Sequence, residues 1–282
     1  MRLAILLLIV WAGLALPAVA EMRVRLMTYN IHHAEGLDGK VDVDRIAAVI
    51  KAARPDIVCL QEVDRNLPRT GRVDIASRLA AQLSMRGVFG LNHRFQGGDY
   101  GNATLTRFEI VDRENIGLPG SSGAEPRGCL RTTLRVGQQL IDVLNTHLGL
   151  QEAERKGQAA AILQHARDLP TLLAGDMNED AKGPALAALL GRFEDTDMKN
   201  AGAERHTYPT NAPNVKIDFV LASDLANVLS SRVLVEPATA VASDHLPVVV
   251  DLEVATSPDS TDAAGVYDNE DERVIEALAE GT

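Results

Sequence analysis

The segment Pro170-Thr171-Leu172-Leu173-Ala174-Gly175-Asp176-Met177-Asn178 places an acid and an amide directly after a short apolar run. Residues 170–174 have the length and the side chains of a buried β-strand, and Gly175 ends the run. Polar groups at the end of a buried strand lie at the rim of a sheet, where a rigid scaffold presents reactive side chains to solvent. The segment therefore predicts a buried sheet with a polar site at one edge.

Polar residues also lie at the ends of other predicted strands, both before and after this segment in the sequence. The residues concerned are Asn30 after strand 24–29, Glu62 after strand 56–61, His147 after strand 139–145, Asp218 within strand 216–222, and Asp244 with His245 before strand 248–254. One polar residue at a strand end is commonly a turn former or a cap. Six such positions with acid, amide and imidazole groups predict a reactive cluster.

Helical periodicity alternates with these strands along the chain. It predicts helices over residues 43–53, 73–84 and 152–167, and two more strands lie at 103–106 and 129–136. Several strands follow one another through short turns that contain glycine, such as Gly137. The pattern favours a mixed α/β domain with antiparallel pairs over a doubly wound parallel sheet.

Three segments divide the 282 residues. Residues 1–20 have the order of a secretory signal peptide, with Arg2, the apolar run of residues 3–16 and Ala18-Val19-Ala20, which predicts a periplasmic or secreted protein. A retained membrane anchor is the alternative, but the run is shorter than the roughly 20 residues that a spanning helix needs. Residues 21–254 form the predicted domain, and the acidic residues 255–282 are predicted to be disordered.

The net charge of −11 is concentrated in the tail. Residues 256–282 hold eight acids and one arginine, a net charge of −7, which leaves −5 for the body once Arg2 is also set aside. An acidic body argues against tight, sequence-independent binding of nucleic acid. Cys59 and Cys129 each lie in a predicted strand, where two buried thiols are favoured over a disulfide that sequence cannot establish.

Hydrolysis of a phosphate ester requires the residue types of this cluster. A divalent cation on carboxylate oxygen has to neutralise the ester's negative charge, and Glu62 is the best candidate for its ligand. The attacking water has to lose a proton, for which Asp176 and His245 are candidates. Asp218 would act through His245, since a carboxylate commonly fixes the tautomer of a working imidazole.

Seven motifs, in order, resemble those of the endonuclease/exonuclease/phosphatase superfamily, which has the deoxyribonuclease I-like fold. They are Thr28-Tyr29-Asn30-Ile31-His32, Leu60-Gln61-Glu62-Val63-Asp64, Gly101-Asn102-Ala103, Asn145-Thr146-His147-Leu148, Gly175-Asp176-Met177-Asn178, Lys216-Ile217-Asp218-Phe219 and Ser243-Asp244-His245-Leu246-Pro247. The resemblance implies a four-layer α/β sandwich of two mixed, mainly antiparallel sheets flanked by helices. It also implies a Mg²⁺ site, with Mn²⁺ as the alternative ion.

The resemblance assigns roles to individual residues. Metal-side residues would be Glu62, Asn30 and Asp244. Catalytic residues would be Asp176, which aligns or deprotonates the water, Asn178, His147, Asp218 and His245, with the choice of base between Asp176 and His245 left open. Asn102 would touch a phosphate oxygen. Outside the motifs, Arg69 is a candidate phosphate contact, and Tyr208 would stack on the substrate, with ordinary packing as its alternative.

The expected substrate is a phosphoester, either a lipid headgroup or inositol phosphate or a nucleic acid, and a monomer without an obligate partner is expected. Abasic-site nucleases have an acid where this chain has His32, which argues against DNA repair. His32, His33 and His147 raise the question of zinc, but the surrounding acids and amides favour a cation bound by oxygen. Arg127, Arg131 and Arg135 form either an anion-binding strip or a solvated strand face. A non-catalytic phosphate-binding protein on the same fold is the alternative function.

Overall fold

The structure is a computed structural model that describes residues 20–197, 205–223 and 226–256. The predicted signal peptide up to residue 19 and the acidic tail beyond residue 256 lie outside these residues. Within them, no helix is long and apolar enough to cross a membrane.

Twelve strands of the described residues form two six-stranded sheets. The first sheet has the order β11-β12-β1-β2-β4-β3, and the second has the order β5-β6-β7-β8-β10-β9. The strands are β1 Ala20–Asn30, β2 Ile57–Arg65, β3 Arg86–Phe95, β4 Gly98–Thr106, β5 Glu109–Leu118, β6 Arg127–Val136, β7 Gln139–His147, β8 Thr171–Asp176, β9 Glu194–Asp195, β10 Asp218–Ala222, β11 Ala226–Val233 and β12 Val248–Thr256.

Pairing within the sheets is mainly antiparallel. The pairs β1–β2 and β7–β8 are parallel, and the other eight are antiparallel. An intervening helix joins each parallel pair, as the geometry of a parallel connection requires. The predicted mixed α/β class with antiparallel pairs is therefore confirmed.

Within the described ranges, four α-helices cover the outer faces of the sheets: α1 Val43–Ala53, α2 Ile75–Leu83, α3 Glu152–His165 and α4 Pro184–Leu189. Buried residues of α1 and α2, such as Ile50 and Leu79, pack on the first sheet. Buried residues of α3 and α4, such as Ile162 and Leu186, pack on the second. A third apolar cluster, which includes Leu26, fills the space between the sheets. The layers are helix, sheet, sheet and helix, as the resemblance implied.

All four strands that the sequence pattern did not predict are edge strands. They are β3 and β11 in the first sheet and β5 and β9 in the second. An edge strand is partly solvated, so its apolar signal is weak. In β5, for example, exposed and partly buried residues alternate through most of its length. The interior strands were all predicted, with ends that differ from the observed ones by a few residues.

Gly175 allows β7 and β8 to approach closely next to the candidate site. Its φ is 149°, and a Cβ at this position would lie 1.8 Å from the carbonyl oxygen of Thr146. Glycine is therefore required at the residue before Asp176. The two cysteines, Cys59 and Cys129, are free buried thiols, and burial raises the pKa of Cys129 to about 12.

Candidate active site

The strand ends that carry the predicted polar residues meet in one cleft of about 570 Å³ at an edge of the sandwich. Eight of the eleven predicted site residues line it: Glu62, Arg69, His147, Asp176, Asn178, Tyr208, Asp244 and His245. Asp218 supports His245 from behind, and Asn30 and Asn102 lie deeper in the sandwich. The cleft draws on both sheets, so the relative placement of the two sheets sets its geometry.

Asp176 occupies the centre of the cleft. In the sheet, Asp176 of β8 is in register with His147 of β7 and with Asp218 of β10. Its Oδ2 accepts a hydrogen bond from Asn30 Nδ2 at 3.0 Å, and it lies 3.4 Å from His147 Nε2 and 3.7 Å from His245 Nε2. One carboxylate oxygen therefore faces three polar side chains that come from three separate strand ends.

His245 and Asp218 form a buried pair beside Asp176. Nδ1 of His245 lies 2.9 Å from Oδ2 of Asp218, and both side chains are almost fully buried. Burial by itself lowers the pKa of His245, but the charge and hydrogen bond of Asp218, with the charge of Asp176, raise it to about 10. His245 is therefore an imidazolium at neutral pH.

Burial raises the pKa of Asp176 to about 7, and the nearby charge of Asp218 acts in the same direction. His245 and hydrogen bonds from Asn178 and Asn30 oppose that increase. Asp176 therefore exchanges a proton near neutral pH. A group with that property suits general-base catalysis.

His147 is held in one neutral tautomer. Its Nδ1 lies 3.0 Å from Arg127 Nη1, and a guanidinium can only donate, so Nδ1 accepts and Nε2 carries the proton. Burial and the charges of Arg127 and His245 lower the pKa of His147 well below its ordinary value. The Nε2 proton therefore points toward Asp176 and the open cleft.

Glu62 reaches the cleft through an irregularity in β2. The β2–β4 register shifts between Leu60 and Val63, and Glu62 has a φ of 58°. A bulge of this kind turns a side chain away from its regular alternation, and a left-handed non-glycine residue costs of order 1–3 kcal/mol. The bulge directs the Glu62 carboxylate toward the cleft, where one oxygen accepts a hydrogen bond from Asn30 Nδ2 at 3.1 Å.

Glu62 and Asp244 have the ligand chemistry that a divalent cation requires. Both carboxylates line the cleft, and no Lys or Arg of the described residues forms a salt bridge with either. Carboxylate oxygens without a cationic partner are the ligands that Mg²⁺ and Mn²⁺ prefer. In the part of the chain that the structure describes, two groups of side chains have ligand atoms within 4.8 Å of one another: His32, His33 and Glu62, and Asp176, Asp218 and His245.

The three remaining predicted residues that line the cleft each contact another protein group. Asn178, in a left-handed conformation with φ 50°, donates its amide to the carbonyl of Leu148. Arg69 donates two hydrogen bonds to the buried Asp64, at 2.8 and 2.7 Å, so that carboxylate already neutralises its charge. The ring of Tyr208 packs at 4.8 Å from that of His245, between their centroids.

Asn102 is not placed at the cleft, in contrast to the phosphate contact that the resemblance implied. Its side chain is buried and donates to the carbonyls of Gly128 and Asn145, so it joins the two sheets. Asn145 in turn donates to Leu60 and Ala103 across the same interface. Asn102 therefore has a structural position behind the site, because a buried amide is satisfied by the backbone groups nearest to it.

Asn30 also lies behind the cleft surface. Its Nδ2 donates to both Glu62 and Asp176, and its Oδ1 accepts the backbone N–H of His32. Asn30 therefore orients the two acids, and its role as a metal-side residue stays a prediction. It links the Glu62 side of the cleft to the Asp176 side.

Several cleft residues were not among the predicted site residues. His93, Phe95 and Tyr100 of the β3–β4 hairpin form one wall, and His32 and His33 lie beside Glu62. Strand pairing brings the hairpin residues to the cleft, so no local pattern marks them. The His-His pair directly after Asn30-Ile31 was a usable signal, because it follows a predicted site residue.

The three arginines of β6 divide between the two interpretations of the strip. Arg127 lines the cleft and forms a salt bridge with Glu125. Arg131 and Arg135 pair with Glu114 and Glu109 of the neighbouring strand β5. Arg127 thus lies where the anion-binding interpretation requires it, whereas the other two belong to a strand face with paired charges.

Comparison with known proteins connects this cleft to a family. The profile of the Endonuclease/Exonuclease/phosphatase family matches residues 27–245. The uncharacterized protein YbhP of Escherichia coli K12 is 26% identical over 252 residues, which cover 83% of this chain and 98% of YbhP.

Two solved structures have similar folds. An endonuclease/exonuclease/phosphatase from Beutenbergia cavernae is 28% identical, with a TM-score of 0.70 over 83% of this chain and 72% of that one. The catalytic domain of human Nocturnin with bound sulfate is 22% identical, with a TM-score of 0.67 over 83% and 94% of the chains. The matched range contains every predicted site residue from Asn30 to His245.

Proposed function

The chain belongs to the Endonuclease/Exonuclease/phosphatase family, and we propose that it is a divalent-metal-dependent phosphoesterase. The superfamily consists largely of hydrolytic phosphoesterases. The proposed reaction is hydrolysis of a phosphodiester or phosphomonoester by activated water. The placement of Asp176 carries the proposal, because its carboxylate lies within 3.7 Å of His147 and His245 in the cleft that also holds Glu62.

Asp176 is the proposed general base. Its pKa of about 7 lets it take a proton from water near neutral pH, whereas His245, with a pKa of about 10, is already protonated. Asn30 and the backbone N–H of Asn178 each bond one Asp176 oxygen, so the carboxylate is held in place for the attacking water. Orientation of this kind lowers the barrier before any bond changes.

His245 and His147 are the proposed contacts for the phosphoryl oxygens and the leaving oxygen. The imidazolium of His245, held by Asp218, places a positive charge in a nearly water-free position, where it acts more strongly than in bulk water. The neutral His147 offers the proton of Nε2, since Arg127 holds its Nδ1. Two hydrogen-bond donors, His245 and His147, would therefore stabilise the negative charge that develops on oxygen during hydrolysis.

Glu62 and Asp244 are the proposed ligands of the divalent cation, which family members typically use. When bound, the cation neutralises phosphate charge and stabilises the leaving oxygen. Asn30 would keep the Glu62 carboxylate oriented through its amide bond at 3.1 Å.

The charge pattern favours a small phosphoester, such as a lipid headgroup or an inositol phosphate, over a nucleic acid. Arginines around the cleft are paired with acids: Arg65 with Asp99, Arg69 with Asp64, and Arg127 with Glu125. A surface that tracks a phosphate backbone needs basic side chains that its own acids do not neutralise. The acidic body of the sequence points in the same direction. Export to the periplasm or the medium, and action as a monomer, belong to the same proposal.

Hydrolysis assays with metal and with EDTA test the proposed function. The protein is incubated with Mg²⁺, Mn²⁺ or EDTA against chromogenic mono- and diesters, phosphoinositides, sphingomyelin, RNA and plasmid DNA. Turnover that requires metal and falls by about 10³-fold in Asp176→Asn is expected. The matched control is Asp168→Asn, because Asp168 is fully exposed and does not line the cleft. Absence of turnover with every substrate, or full activity of Asp176→Asn, would contradict the proposal.

A further inference from the structure

Two histidines lie beside Glu62 at the end of β1. One ring nitrogen from each of His32 and His33 and a carboxylate oxygen of Glu62 lie within 4.8 Å of one another. All three residues line the cleft. Asp244 also lies close to them, with its Oδ1 at 4.0 Å from His32 Nδ1. The metal side of the cleft is therefore not made of oxygen ligands alone.

The backbone holds both imidazoles at this position. His32, His33 and Ala34 have φ values of 44°, 43° and 65°, three successive left-handed residues without a glycine. Hydrogen bonds fix the turn: the backbone N–H of His32 donates to Asn30 Oδ1, and that of Ala34 donates to the carbonyl of Ile31. Because Asn30 also bonds Glu62, one residue orients both the histidine turn and the carboxylate.

The histidine nitrogens differ in their availability from those of the Asp176 group. His33 is only 6% exposed, and its Nδ1 is buried without a hydrogen-bond partner in the described structure. In the other candidate group, His245 Nδ1 and Asp218 Oδ2 already bond each other at 2.9 Å. His33 thus keeps one ring nitrogen without a partner among the described residues, and its other nitrogen, Nε2, lies 3.3 Å from Glu35 Oε2. In the second group, the imidazole is already paired with a carboxylate.

The chemical type of the ligand atoms determines which metal ion a site prefers. Mg²⁺ favours carboxylate, carbonyl and water oxygens in an octahedral arrangement, and imidazole favours first-row transition metals. A carboxylate with two imidazoles gives a mixed nitrogen and oxygen site. Arg69 is nearby, but its charge is already neutralised by Asp64.

We infer that His32, His33 and Glu62 form a binding site for a first-row transition-metal cation, which the cleft prefers to Mg²⁺. This inference rests on the proposed function, because it specifies the cation of the proposed metal-dependent reaction. It also revises the expectation from sequence that an oxygen-bound Mg²⁺ serves this cleft, since the histidines add nitrogen ligands beside Glu62.

Calorimetry and histidine NMR test the site without relying on activity. The full-length protein labelled with ¹⁵N-histidine is titrated with Zn²⁺ and, separately, with Mg²⁺. Zn²⁺ should bind about 100-fold more tightly than Mg²⁺ and shift the ring nitrogens of His32 and His33. His32→Gln and His33→Gln should each weaken Zn²⁺ binding by about 10- to 100-fold, while Mg²⁺ affinity stays within about twofold. His165→Gln is the matched control, because His165 is exposed and its ring bonds the carbonyl of Ala161 in its own helix.

The outcomes separate this inference from the proposed function. Unchanged ring-nitrogen signals, or equal Zn²⁺ affinity in wild type and both variants, would overturn the metal site. Circular dichroism establishes whether His33→Gln is folded. If His33→Gln does not fold, the test relies on His32→Gln, because His32 is only half-buried. Hydrolysis with Mg²⁺ and no histidine response would reject the site alone. A histidine response without hydrolysis of any phosphoester would reject the proposed function alone.

Discussion

The space between the two sheets has an apolar half and a polar half, although the same strands build both. Along β1, the inward residues change from Val24 and Leu26 to Thr28 and Asn30. β8 changes from Leu172 and Ala174 to Asp176. β2 and β7 change in the same direction, with Gln61 and Asn145 following Cys59 and Val143. The inward face keeps its period of two, and only the chemistry changes.

The difference shows how one architecture supplies both stability and reactivity. The apolar half gains free energy from burial of side chains such as Leu26. The polar half buries hydrogen-bonded groups, and an ionised acid there costs stability unless charges and hydrogen bonds compensate. Substitutions in the apolar half should therefore lower the free energy of unfolding, and substitutions in the polar half should lower the rate of catalysis.

His245→Gln should have the largest effect on catalysis. It removes the positive charge that Asp218 holds beside Asp176, so kcat/KM should fall by about 10²- to 10⁴-fold. The measurement is a steady-state assay of metal-dependent hydrolysis, with His165→Gln as the exposed control. Activity within threefold of wild type would show that hydrolysis does not depend on His245.

Leu26→Ala should have the largest effect on stability in the apolar half. Leu26 is fully buried, and its truncation should lower the free energy of unfolding by about 2–5 kcal/mol. Activity per folded molecule should remain close to that of wild type at low temperature. Chemical denaturation and a parallel activity assay measure both. A selective loss of kcat without destabilisation would contradict the division between the halves.

The pH dependence of hydrolytic activity should reflect the ionisation of Asp176 and His245, the two buried groups of the polar half. Asp176 works ionised, so activity should fall about tenfold per unit below its pKa of about 7. His245 works protonated, so activity should also fall above its pKa of about 10. The residual activity of Asp176→Asn should lack the acid limb, and that of His245→Gln should lack the alkaline limb. A flat profile between pH 5 and 9 would contradict these assignments.

Thr28→Val should have the smallest effect and sharpens the comparison with Leu26 on the same strand face. Thr28 Oγ1 accepts a hydrogen bond from Gln61 Nε2 at 3.1 Å, but this nitrogen also donates to Asn145 Oδ1 and the carbonyl of Cys59. The free energy of unfolding should therefore fall by only about 1 kcal/mol. A loss as large as that of Leu26→Ala, measured by chemical denaturation, would mean that the polar half contributes comparable stability.

The sequence predicted the interior of this fold better than its borders. The buried strand β8 has a continuous apolar run, whereas β3, β5, β9 and β11 are edges with weak patterns. Residues that end interior strands, such as Asp176 and His147, could be predicted for the same reason. The orientation of Asn102 could not, because it depends on which carbonyls of the second sheet come within reach.

Pairing between distant residues limited the rest of the prediction. Sequence identified Arg69 as a candidate for phosphate, but the buried Asp64 next to it takes both donors. Glu62 was predicted as a ligand, yet the bulge that directs it depends on the register with β4. The hairpin wall of His93, Phe95 and Tyr100 likewise arises from strand pairing and has no local signature.

Asp176→Asn separates the catalytic role of this carboxylate from its cost in stability when stability and activity are measured on the same sample at pH 8. The pKa of Asp176 is raised from an ordinary 3.8 to about 7, so its ionisation costs folding free energy as pH rises through that window. A neutral, isosteric amide removes this cost. We expect Asp176→Asn to have a free energy of unfolding equal to or above that of wild type, with kcat/KM lower by about 10³-fold. A loss of stability that accounts for the lost activity would contradict this expectation.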